Sequence, residues 1–130
     1  MKALAKLAAC AASFALAGCN EQAAIRPPVN PTATVVGEAQ NCIPLGQLRE
    51  SRVRDDWTID FIGSGGRVWR NALSSRCPGL RPRSAIGYET AIGQLCSTDI
   101  VYVLESAGGL HRGAACGLGQ FLPVKLEGTN

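Results

Sequence analysis

The chain has 130 residues, 46% of them hydrophobic and 18% charged, with 13 basic and 10 acidic side chains. Charges of both signs are interspersed along it, which describes a solvated surface. A formal charge of +3 so distributed excludes the one-sided basic excess that nucleic-acid binding requires.

The first 18 residues read MKALAKLAACAASFALAG. Lys2 and Lys6 form a positive start, and residues 7–17 form an apolar run that is too short to span a bilayer but has the length of an export signal. The run ends in Leu16-Ala17-Gly18-Cys19, which resembles the bacterial lipobox. In that family the chain is cut before the cysteine, whose nucleophilic sulfur carries a diacylglyceryl group and whose new amine is acylated. Cys19 is therefore the expected lipidation site, and the membrane is the expected partner through that lipid. One acyl chain, at about 0.8 kcal/mol per buried CH₂, anchors only marginally, whereas several chains on one residue hold firmly. By the same resemblance Asn20, standing where aspartate favours inner-membrane retention, points to the periplasmic face of the outer membrane. Cys10 lies inside the removed segment. Loss of Lys2 and Lys6 leaves 11 basic against 10 acidic residues, so the mature chain is nearly neutral.

Residues 19–41 contain Pro27, Pro28 and Pro31 and no apolar period, and are expected to form a flexible tether. Such a linker has an r.m.s. span of roughly 25 Å. Residues 42–130 are expected to form one domain, small enough that staples matter.

Along this domain the hydrophobic pattern has mostly period 2. The stretch 45–53 predicts a first strand. In DWTIDFIG (56–63) Trp57, Ile59 and Phe61 fall on one face and Thr58 and Asp60 on the other, and GSGG (63–66) separates this strand from RVWRNAL (67–73). Strand, glycine run and strand predict a hairpin. The glycine run is not a phosphate-binding loop, because it lacks the Gly-Lys-Ser/Thr ending. Residues 70–76 suggest a short helical turn before CPGL, and 84–91 a short strand. The β-branched centre of TDIVYVLES (98–106) predicts a central strand covered on both faces. A turn at Ala107-Gly108-Gly109 then leads to strands over 110–116 and 119–124. The expected fold class is mainly β: a small disulfide-stapled barrel or sandwich of five to seven short strands.

Cys42, Cys77, Cys96 and Cys116 are the domain's cysteines, an even number suited to two disulfides in an oxidising compartment. Three connectivities are open. The favoured one joins Cys77, which precedes the Pro-Gly turn of CPGL, to Cys96, which precedes the most apolar strand, and Cys42 to Cys116, the start of the domain to its end. Gaps of 35, 19 and 20 positions do not suit a four-thiolate zinc site, and no C-x-x-C redox motif is present. No metal or cofactor is expected.

The succession DD-x-T-I-x-F, W-R-N-x-L-x-x-x-C-P-G-L, Q-L-C-S-x-D-x-V and C-G-L-G-x-F, over residues 42–122, resembles a family of small proteobacterial envelope proteins with no assigned activity. The resemblance implies a secreted, cysteine-containing β-rich fold and adds no mechanism.

Trp69, Arg70 and Asn71 form the segment expected to offer a binding surface, the indole stacking and its neighbours supplying polar contacts; core filling by the tryptophans is the competing role. Arg81 and Arg83 in GLRPRS read as a solvated loop. His111 is the sole histidine, and its chemistry would need an aspartate such as Asp99 or Asp60. The serines lack a G-x-S-x-G setting. The expected function is a non-catalytic, lipid-anchored periplasmic module that binds or spaces an envelope protein or polymer. The second reading is a small hydrolase or transferase acting on envelope polymer through His111.

Overall fold

A computed structural model of the chain describes residues 26–128. Ten strands form three antiparallel sheets, and the fold is mainly β, sandwich-like, with no closed barrel. The strands are β1 (Ala33–Val35), β2 (Cys42–Pro44), β3 (Leu48–Asp55), β4 (Thr58–Gly63), β5 (Val68–Ala72), β6 (Ile86–Tyr88), β7 (Gln94–Cys96), β8 (Ile100–Glu105), β9 (His111–Gly117) and β10 (Phe121–Leu126). One short helix, α1 (Leu80–Arg83), follows β5. The large sheet has the order β1-β10-β5-β4-β3; β2 pairs with β7, and β8 lies between β6 and β9.

The expected hairpin is β4–β5, with Phe61 opposite Trp69 and Asp60 opposite Arg70. Gly65 (φ 71°) and Gly66 (φ 77°) adopt the left-handed conformation that closes its loop. Ile59 and Phe61 from β4, Trp69 from β5 and Phe121 from β10 point inward against Ile43, Leu95, Val101 and Val103 of the smaller sheets. Phe61 and Phe121 meet edge to face with centroids 5.5 Å apart. Full burial of each aliphatic or aromatic side chain contributes about 1.5–3 kcal/mol.

Three expectations are corrected here. The strand covered on both faces is β4, in which Thr58, Ile59, Asp60 and Phe61 are all buried; β8 buries Val101 and Val103 but exposes Ile100. The helical turn expected over 70–76 is instead strand as far as Ala72, and the helix comes after Gly79. The tether expected over 19–41 is described only from Arg26 on. That part is docked: Arg26 donates to the Leu73 carbonyl (3.1 Å) and stacks over Trp57 (4.8 Å). The Pro31 carbonyl accepts from Arg70 (2.9 Å), β1 pairs with β10, and Gln40 bridges to Phe121. The proline-rich segment thus crosses the outer face of the large sheet and returns along its edge.

The disulfides are Cys42–Cys96 and Cys77–Cys116, not the pairing favoured from the sequence. Cys42 and Cys96 face each other directly across β2 and β7. Cys77 leaves the end of β5 and meets Cys116 on β9, inside the core. The turn after Cys77 and the apolar strand after Cys96 do not bring those two sulfurs together, because the pairing of the three-residue strands β2 and β7 decides which sulfurs meet.

Candidate binding cleft

The structure does not present Trp69, Arg70 and Asn71 on one surface. Successive strand residues point to opposite faces, so Trp69 and Asn71 go inward and Arg70 outward. Asn71 is fully buried; its amide donates to the Gly119 carbonyl (2.7 Å) and its oxygen accepts the Gly119 N–H (2.8 Å). Arg70 donates through Nε and Nη2 to the Asp60 carboxylate (2.8 and 2.9 Å), which also accepts from Arg54 (2.7 Å). Asp60 is fully buried although it lies on the outer face, because the two guanidinium groups and the crossing segment cover it. This triad is structural, and neither Arg70 nor Asn71 is available to a ligand.

His111 lies beside Glu105 at 3.4 Å, with Nδ1 2.9 Å from the Gly109 carbonyl oxygen, on the exposed β8–β9 hairpin. It therefore meets neither Asp99 nor Asp60. Asp99 accepts the Cys96 N–H (2.7 Å), the turn-capping role that suits its position. Next to His111, Arg112 stacks over Tyr102 (4.5 Å) and pairs with Glu89, whose hydrogen bond and charge raise the guanidinium pKa. Cys19 lies outside the described residues.

One cleft of about 910 Å³ opens where the inner face of the large sheet runs past the cover of the smaller sheets. Its apolar lining includes Trp69, Pro123, Val36 and Pro44. Trp69 is only 4% exposed, too little to offer an open stacking face. That indole sits over Gly63, where an added Cβ would come within 2.6 Å of the ring. The bareness of Gly63 is thus what lets Trp69 reach the cleft floor. Arg67 and Lys125 supply charge at the cleft, and among the described residues no carboxylate lines it. Arg67 is steadied by Gln47 (3.1 Å) and remains exposed, as does Lys125.

A concave apolar floor beside two exposed cations is suited to an anionic ligand that also carries apolar groups. The sequence showed Trp69 but not its companions. Arg67 is two positions away, whereas Val36, Pro44, Pro123 and Lys125 arrive from β10, β2 and the edge segment, which only the sheet order brings together. No protein-family model, no curated protein and no solved structure matches this chain.

Proposed function

We propose that this chain is a lipid-anchored binding module of the bacterial envelope, tethered through Cys19 at the periplasmic face of the outer membrane. Its cleft holds an anionic segment of envelope polymer. The lipobox-like ending of the first 19 residues and the two disulfides support the location. The observation that carries the binding role is the pairing of Arg67 and Lys125 with an apolar floor free of carboxylates among the described residues.

Two measurements test this. Cells fed labelled palmitate should yield a labelled protein that loses its label in Cys19→Ser. Muropeptides from peptidoglycan, which combine carboxylates with N-acetyl methyls, are the probe for the cleft. In a Trp57→Phe background Trp69 is the sole tryptophan, and its emission should change on titration. Reversing both cations, Arg67→Glu with Lys125→Glu, should weaken the response at least about tenfold, since one close charge contact is worth roughly 1 kcal/mol or more. An unchanged affinity in the double variant would remove the cleft from the function.

A further inference from the structure

We infer that the end of the fold bearing the Trp57 turn and α1 lies against an anionic bilayer surface, held there by Arg81 and Arg83. The cleft faces away. This rests on the reading that Cys19 carries the lipid.

The chain between Cys19 and the fold is short. Arg26 is docked on Trp57 and the Leu73 carbonyl. Seven residue steps separate Cys19 from Arg26, and seven extended residues span at most about 25 Å. An anchored sulfur therefore holds the Trp57 end of the large sheet within about 25 Å of the headgroups, and charge then sets which end faces them. The cleft lies at the other end of the β4–β5 hairpin, beside Gly65, Gly66 and Arg67. A six-residue strand puts the two ends roughly 20 Å apart.

Charge favours the same end. Arg76, Arg81 and Arg83 are exposed at the anchored end, where the Arg81 N–H is fixed to Asp56 (2.9 Å) and the Cys77 N–H to the Asp56 carbonyl (2.8 Å). The carboxylates there are already occupied. Asp55 accepts the Trp57 N–H (2.7 Å), and Asp56 accepts from Arg76 (2.8 Å) and from the Arg81 backbone. The side chains of Arg81 and Arg83 form no ion pair among the described residues. Between them, Pro82 belongs to α1, and the Ser84 hydroxyl returns to the Arg81 carbonyl (2.7 Å), so the two guanidinium groups project from a fixed turn. A surface that is cationic where the anchor arrives suits acidic headgroups, each such arginine favouring apposition roughly fivefold near an anionic leaflet at low salt.

The test installs the anchor chemically, so its outcome is independent of lipidation in cells. The mature chain from Cys19 on, with both disulfides formed, keeps Cys19 as its one free thiol. That thiol is coupled to a maleimide lipid in phosphatidylcholine vesicles, with or without 30% phosphatidylglycerol. Amide exchange is followed by mass spectrometry. Exchange over 76–85 should slow several-fold on the anionic vesicles, recover on neutral vesicles and in high salt, and stay unchanged over 63–67. Arg81→Glu with Arg83→Glu should abolish the slowing; both side chains are exposed, so the variant folds, as its circular dichroism should verify. Equal slowing at 63–67, or slowing that survives the double reversal, would overturn the orientation. Failure of palmitate labelling in cells would instead remove the biological anchor and leave this surface measurement standing.

Discussion

Asp60 is the residue on which the outer face turns. Its carboxylate is fully buried, and its partners Arg54 and Arg70 are each about 15% exposed or less. A buried pair adds little net stability over an apolar replacement, but removing one partner leaves the other charge stranded. Asp60→Asn keeps the shape and removes the charge, so it should cost about 3 kcal/mol. The urea midpoint should fall with an unchanged slope. The loss should also loosen residues 26–31, because Arg70 holds the Pro31 carbonyl while Asp60 orients it. A midpoint within error of the parent's would show that the triad is dispensable. Nothing in DWTIDFIG marks Asp60 as buried. Alternation places it opposite Ile59 and Phe61, which is correct, and a solvated role is the default there. Its burial depends on a segment some thirty residues earlier. Asn71 was hidden in the same way, since its partner Gly119 is 48 positions away.

Elements were legible where local pattern and long-range pairing agree. The β4–β5 hairpin and β8–β9 carry β-branched residues around glycine turns, and both stand where the sequence puts them. The three-residue strands β1, β2 and β7 are too short to show a period, and they exist because β10 and one another supply the pairing. The edge strand β1 also depends on Glu127, which accepts from the Thr32 hydroxyl (2.7 Å) and the Thr34 hydroxyl (2.9 Å). Those two bonds lower the Glu127 pKa below its ordinary value of 4.5. A depressed carboxyl pKa gives a contribution that is complete above the unfolded value and is lost as pH falls through the folded one. The edge should therefore fray below about pH 4.5 while the core stays intact. Amide exchange at Val36, whose N–H bonds the Pro123 carbonyl, reads this directly. Glu127→Gln should raise that exchange at neutral pH and flatten its dependence on acid. A parent protein whose Val36 exchange does not respond between pH 6 and 3, beyond the intrinsic pH effect, would contradict the role of Glu127.

At the scale of the molecule, the interleaved disulfides decide how the three sheets stay together. The Cys42–Cys96 separation is 54 residues and the Cys77–Cys116 separation 39. Loop closure assigns each bridge roughly 4 kcal/mol, and the difference in loop length is worth only about 0.3 kcal/mol in favour of the longer one. Packing acts in the opposite direction and is larger. Cys77 is fully buried and Cys116 is 5% exposed, and their bridge ties the end of the large sheet to the β6-β8-β9 sheet. Cys42 and Cys96 are half-buried and join strands that already pair. Replacing buried sulfur by a methyl adds a cavity cost of about 1 kcal/mol per site. Cys77→Ala with Cys116→Ala should therefore melt well below Cys42→Ala with Cys96→Ala, despite closing the shorter loop. For a domain of this size about 1 kcal/mol corresponds to roughly 4–8 °C, so a gap of about 10 °C is expected. Loss of both bridges approaches the whole stability of a small domain, about 5–15 kcal/mol, and dithiothreitol should unfold the chain at moderate temperature. A lower melting point for the Cys42/Cys96 variant would mean that chain entropy, and not the packing of sulfur between the sheets, sets the order.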